Sequence, residues 1–243
     1  MVRLSFDGAV ARIVLADPGS SNALGDDMAA ALTAAFGDLE RQEQVRVVLL
    51  AAEGDTFSSG APRDLLLRLA RGEVRPTDIH LPRLLLGCPV PVIAAMAGHA
   101  TGGGFALGLA ADIVLMAEES RYGFPFMDLG FTPGMGSTVL CEHVLSPAIA
   151  HELLYSGELR RGRAFARTGV NHVLPRAEVL PHATDLAERI AGKPRTALEA
   201  LKRTLSMPRR RAFELSFTTE SLMHQLTFRA PGAAQGIRDG YVE

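Results

Sequence analysis

Phe57-Ser58-Ser59-Gly60-Ala61 and Gly98-His99-Ala100-Thr101-Gly102-Gly103-Gly104-Phe105-Ala106-Leu107-Gly108 are the stretches on which the fold turns. Each leaves an apolar run and enters a helix-like one through small residues, which is the pattern of a strand turning into a helix. Such a turn presents backbone N–H groups at the positive end of a helix, where a developing negative oxygen is held. Spacing excludes two other glycine sites. After Gly102-x-Gly104 the third position of a dinucleotide fingerprint falls on Leu107, and Gly108 comes one residue late. No Lys-Ser or Lys-Thr follows, as a Walker loop requires. Each stretch also has a plain structural alternative. The second fits tight strand–helix packing, and the first fits an ordinary loop.

Working outward, the pattern alternates strands and helices. Val2–Phe6 and Ala9–Leu15, joined at Asp7-Gly8, read as a hairpin. Asp26 to Gln42 reads as a helix, Arg46–Ala52 as a strand buried on both faces, and Arg63–Arg71 as a helix. A loop containing Pro76 and a helix ending near Leu86 come next. Val90–Ala97 and Asp112–Met116 are further apolar strands on either side of a helix at Gly103–Ala110. The class is therefore α/β with right-handed crossovers. Beyond Met135 the chain reads as mostly helical, with breaks near Pro147, Gly157, Gly169–Pro175, Gly192–Pro194 and Pro208.

Length and charge narrow the function. A chain of 243 residues, 47% hydrophobic, suits one large domain or one domain with an extension. A net charge of -2 gives no argument for nucleic acid or an anionic membrane. Cys88 and Cys141 are too few for a disulfide framework and form no metal-ligand cluster, so no metal is expected. No apolar run is long enough to span a membrane, and Met1 to Phe6 reads as a strand, not a signal peptide. The expectation is a soluble, cytoplasmic protein.

Together the two glycine stretches resemble the crotonase superfamily, the enoyl-CoA hydratase/isomerase fold. Asn22-Ala23-Leu24, Pro91-Val92-Ile93-Ala94-Ala95, Ala111-Asp112-Ile113 and Phe131-Thr132-Pro133-Gly134-Met135-Gly136 add to the match, which spans nearly the whole chain. The resemblance implies a crotonase spiral of repeated ββα units over residues 1–190. It implies a C-terminal helical region over 191–243 that caps the core or packs on another subunit, in a homotrimer or a dimer of trimers. It implies acyl thioesters on a phosphopantetheine arm as substrates and no other cofactor. It places the thioester oxygen between the backbone N–H groups of Ala61 and Gly103, with Gly60 and Gly102 beside them.

The same resemblance marks what is missing. Hydratases of the family carry glutamates where this chain has Ala106 and Phe126, and some isomerases carry a carboxylate where it has Gly134. A positioned general base contributes about 100- to 10,000-fold, so losing all three argues against hydration and against proton shuttling. Decarboxylation needs an oxyanion hole and no base, and an apolar pocket, for which Leu65, Leu69, Ala106 and Phe126 are the candidates, strips water from the departing carboxylate. Phe57 to Ala61, Arg68 to Val74 with its Arg71-Gly72-Glu73, Met96 to His99, Leu129 to Gly136 and Val173 to Glu178 resemble the decarboxylating members of polyketide β-branching cassettes. Those members act on a 3-methylglutaconyl group borne by an acyl carrier protein. Some carry Tyr and Lys on the helix after the first oxyanion donor, where Leu65 and Leu69 stand here.

His224, in Glu220-Ser221-Leu222-Met223-His224-Gln225, matches a histidine of that subgroup. It either holds the substrate carboxylate or reprotonates the dienolate, or it is a surface or subunit-contact histidine on a C-terminal helix. His99 reads as a buried, hydrogen-bonded structural histidine, and Ser58 and Ser59 as loop formers. Arg68, Arg71, Arg75, Arg83 and Arg209-Arg210-Arg211 either contact phosphates or an acidic carrier, or line solvated helix faces. Two other functions stay open: an isomerase or hydratase using Asp128 or Glu142, and a catalytically silent scaffold subunit.

Overall fold

β1 (Val2–Asp7) and β2 (Val10–Leu15) form the expected hairpin, in register from Val2↔Leu15 to Asp7↔Val10. They belong to a computed structural model that describes residues 1–39, 41–75 and 80–240. α1 (Asp26–Leu39) follows, ending three residues before the expected Gln42. From there the chain builds two sheets at once. β3 (Val47–Ala52) leads into β4 (Thr56–Ser58) and α2 (Arg63–Ala70). After α3 (Pro82–Gly87), β5 (Val92–Met96) leads into β6 (His99–Thr101) and α4 (Gly103–Leu109), and β7 (Ile113–Ala117) leads into β8 (Arg121–Gly123). The loop expected around Pro76 falls outside the described residues.

The first strand of each unit enters a six-stranded sheet and the second enters a four-stranded one. With β9 (Leu159–Arg161) and β10 (His172–Leu174), the orders are β1-β2-β3-β5-β7-β10 and β4-β6-β8-β9. β2, β3, β5, β7 and β10 run parallel. The apolar runs of β3, β5 and β7 are continuous because both faces are covered. Val48 and Leu50 point into the larger core, while Val47, Leu49 and Ala51 pack on the other face with Val179, Ala183 and Ala187 of α7 (Arg176–Ala191). β9 and β10 lie in the stretch expected to be mostly helical, among α5 (Ser137–Val144), α6 (Pro147–Ser156) and α7.

The break expected at Pro208 is not there. α8 runs from Arg195 to Thr227 with Pro208 inside it. A mid-helix proline costs about 3 kcal/mol, so packing on both sides must hold the helix together. Lys202 is nearly fully buried and donates to Leu85 O (3.0 Å) and to Asp112 Oδ2 (2.5 Å). Arg209 donates to Asp112 Oδ1 (2.8 Å) and to Ala111 O (2.8 Å). The two cations bracket Pro208 and pin the helix to the start of β7. Arg209 is thus a structural anchor and not a surface contact for phosphate or carrier.

Asn22 locks the entry to the site. It is fully buried in the left-handed region (φ 51). Its Oδ1 accepts from Asp17 N, and its Nδ2 donates to Glu53 O and Thr56 O at 2.9 and 2.8 Å. Asn22→Ala strands three backbone groups, so we expect a loss of about 1–3 kcal/mol in unfolding free energy by urea titration. An unchanged midpoint would rule out this locking role.

Candidate active site

The C-terminal ends of β4 and β6 lie side by side and set the two glycine stretches against each other. A Cβ on Gly60 would lie 2.8 Å from Thr101 O and 2.9 Å from Gly103 N. Gly60 therefore stays bare, with φ +81, so that the loops touch. Thr101 Oγ1 donates to Ser59 O (3.1 Å), and Gly60 N donates to Ser58 Oγ (3.2 Å). Ser59 lies in the loop, as read from the sequence, whereas Ser58 ends β4 and is a strand residue. Gly103 opens α4, where the first N–H groups have no partner inside the helix.

Ala61 and Gly103 both line a cavity of about 380 Å³. Its wall is apolar: Leu66 and Leu69 from α2, then Phe126, Leu129, Phe131, Met135 and Phe228. Phe126 stacks on Phe124 at 5.8 Å and leans on Phe131 at 5.7 Å. A Cβ on Gly102 would meet Phe126 Cε1 at 3.4 Å, which places that ring beside the glycine turn. Met135 sits in the left-handed region (φ 58) with its sulfur over Gly103. Among the described residues, no Asp, Glu, Lys or Arg lines the cavity.

Two histidines reach the wall. His224 Nε2 lies 2.8 Å from Thr132 O, so Nε2 carries the hydrogen and donates it. Nδ1 is buried without a partner. Burial lowers the pKa of His224 below its ordinary value, partly offset by the Thr132 and Pro133 carbonyls. A Cβ on Gly134 would overlap Cε1 of this ring and lie 2.8 Å from Nε2. The imidazole thus fills the space a side chain at position 134 would need. His99 is half-buried, and its Nδ1 accepts from Arg121 N (2.8 Å). Its pKa is lowered by burial and by Arg176 and Arg121. The hydrogen bond expected of His99 is there, but the residue is only half-buried, because one side of it lines the cavity.

A family model described as enoyl-CoA hydratase/isomerase matches residues 5–243. The chain belongs to the enoyl-CoA hydratase/isomerase family. It is similar to the bacillaene synthase decarboxylase PksI of Bacillus subtilis strain 168, 38% identical over 98% of this chain and 96% of that protein. A solved structure from a dehydratase/decarboxylase enzyme couple of polyketide β-branching superposes with a TM-score of 0.95, at 38% identity over 99% of this chain and 96% of the other. The ECH2 decarboxylase domain of CurF from Lyngbya majuscula superposes with a TM-score of 0.93, at 37% identity over 99% of both chains.

Three of the residues expected around the acyl group lie off the cavity wall. Leu69 is on the wall, but Leu65 is not, and Leu66 takes its place. Consecutive helical residues point about 100° apart, so a one-residue difference decides which leucine faces the cavity. Ala106 is fully buried in the core, one turn along α4 from Gly103, and its methyl does not reach the wall. Gly60 acts as the spacer between the loops and is not a wall residue.

The acids kept for a hydratase or isomerase are elsewhere. Asp128 is exposed, and Glu142 is exposed and paired with His151 at 2.5 Å. Neither lines the cavity. The surface arginines are largely paired too: Arg68 with Asp26, Arg71 with Glu73, and Arg83 with Glu214 while lying over the Phe217 ring.

Proposed function

We propose that this protein decarboxylates a 3-methylglutaconyl thioester carried on the phosphopantetheine arm of an acyl carrier protein, yielding a 3-methylcrotonyl-type thioester in polyketide β-branching. The observation that carries the proposal is a cavity with Ala61 and Gly103 on its wall and no ionisable group but two histidines among its described lining residues. The similarity to PksI and to the CurF ECH2 domain, both described as decarboxylases, supports the same reading.

The chemistry follows from that wall. The bond between C4 and the carboxylate carbon breaks, CO2 leaves, and the electron pair moves through the double bond onto the thioester oxygen. Backbone N–H groups of Ala61 and Gly103 hold that oxygen, each contributing about 3–4 kcal/mol to the dienolate-like transition state. Phe126, Leu69 and their apolar neighbours replace water around the carboxylate with nothing that competes for its charge. His224 holds the carboxylate as an imidazolium, with Nδ1–H as its donor. That proton then passes to carbon, at C4 or at C2, and the imidazole regains it from solvent.

The deciding experiment is mass spectrometry of a carrier protein loaded with 3-methylglutaconyl, with and without this protein. Loss of CO2 only when the protein is present supports the proposal. Full retention of CO2 on a folded sample overturns it. Substrate binding without product would identify a silent scaffold, and hydration of a crotonyl thioester would identify a hydratase.

Residues 191–243 we read as the capping and trimerisation region of a cytoplasmic enzyme. Leu201, Leu205, Leu215, Leu222 and Leu226 stand 4, 10, 7 and 4 residues apart, which places them on one face of α8, and each is 55–75% exposed. Such a stripe matches a helix–helix seam. No described helix is long and apolar enough to cross a membrane. Leu215→Glu combined with Leu222→Glu should shift the particle from trimer toward monomer in light scattering. An unchanged mass would remove this seam from the assembly.

A further inference from the structure

Glu220 is a carboxylate with almost no solvent exposure, and it lies one helical turn before His224 on α8. Its Oε2 accepts from Gly136 N (2.7 Å). Its Oε1 accepts from Thr138 N (3.1 Å) and Thr138 Oγ1 (2.5 Å). Glu220 thus caps the first turn of α5 from another helix, meeting N–H groups that α5 itself leaves open. Two further residues on the same face of α8 hold the start of that segment. His224 Nε2 donates to Thr132 O, and Thr227 Oγ1 accepts from Thr132 N (3.3 Å). Positions 220, 224 and 227 form one row at i, i+4 and i+7. The row grips the chain on both sides of Gly134 and Met135, two residues of the cavity wall.

We propose that Glu220 is a positioning residue of the site: by fixing Gly136 and Thr138 it seats the Gly134–Met135 segment against the His224 ring and so sets where that imidazole stands in the cavity. Glu220 does not line the cavity and acts through its neighbours. A carboxylate suits the task because all three partners donate, and it accepts on both oxygens. Glutamine has one acceptor oxygen, so Glu220→Gln turns an N–H donor toward Gly136 N or toward Thr138. Gly134 has no slack, since its Cα hydrogen side already touches the imidazole. A shift of the loop therefore moves the ring or opens a gap beside it.

The inference rests on the assignment of His224 to the reacting site, so its test is a double-mutant cycle in which the two can fail separately. Turnover of carrier-bound 3-methylglutaconyl is measured for the parent protein, Glu220→Gln, His224→Ala and the double variant. Misplacing a reacting group by a fraction of an ångström to 1 Å costs about 10- to 100-fold, so Glu220→Gln should lower kcat by about that factor with KM little changed. In the His224→Ala background the same substitution should have almost no effect, because there is no imidazole left to misplace. Equal losses in both backgrounds, or parental kcat for Glu220→Gln, overturn the positioning role. Parental turnover for His224→Ala alone overturns the His224 assignment, and the positioning role with it, while Glu220 is still intact. Thr138→Val guards against a Glu220 variant that does not fold. It removes one of the three bonds and should lower kcat in the same direction by a smaller factor, again only when His224 is present.

Discussion

Gly60→Ala should lower kcat for decarboxylation by about 100- to 1,000-fold, the usual cost of losing one oxyanion donor. The added Cβ would lie 2.8 Å from Thr101 O and 2.9 Å from Gly103 N. Both are backbone atoms, so neither can swing aside as a side-chain end would. The loops must part, and parting moves Ala61 N relative to Gly103 N. An interaction made mainly in the transition state is lost, so kcat and kcat/KM should fall together while KM stays close to the parental value. Alanine at φ +81 also carries about 1–2 kcal/mol of backbone strain. Gly8→Ala controls for that term. Gly8 has φ +57 in the β1–β2 turn, and nothing lies within 4 Å of the Cβ it would gain. That variant should lose stability and keep its kcat. A Gly60→Ala enzyme within a few-fold of the parent would show that the two loops do not form one oxyanion site.

Much of this arrangement was legible in the sequence because it is local. The strand–glycine–helix turns, the hairpin at Asp7-Gly8 and the doubly buried strands each show a period or a turn residue within a few positions. β4, β6, β8, β9 and β10 have three residues each, too few to display an alternation, and they exist because a neighbouring strand offers hydrogen bonds. Pro208 gave a breaker signal that tertiary anchoring overrode, through Lys202 and Arg209 on Asp112. The site divides the same way. Ala61, Gly102, Gly103, Phe126, Leu69 and His224, all singled out in the sequence, lie on the cavity wall beside Leu66, Met135 and Phe228, which were not proposed as site residues. Choosing Leu66 over Leu65 needs the rotation of α2. Met135 needs a left-handed backbone that its sequence does not announce. Glu220 left one sequence trace, an acid four residues before His224, but its partners lie more than 80 residues away.

His224→Ala should lower kcat by about 100- to 10,000-fold, the range for a positioned proton donor. The geometry fixes the tautomer. With Nε2–H given to Thr132 O, the neutral ring offers only a lone pair at Nδ1, which repels a substrate carboxylate. Catalysis then requires the imidazolium, whose Nδ1–H both holds the carboxylate and supplies the proton that replaces CO2. Burial works against that form in the free protein, because it lowers the pKa of His224. The sign of the pH dependence follows. The free enzyme gains competent, protonated His224 as pH falls, so kcat/KM should climb toward low pH and level off only below the ordinary histidine value. Bound substrate brings a negative charge and raises the histidine's pKa, so kcat itself should hold to higher pH than kcat/KM. Stability runs the other way. The unfolded chain binds this proton more readily, so unfolding free energy is lost as pH drops through that same window. His99 also lines the cavity with a lowered pKa, so the assignment comes from comparing variants. If His224 is the donor, the acid-favoured limb of kcat/KM disappears in His224→Ala and persists in His99→Ala. A limb that survives the loss of His224 would transfer the proton to another source.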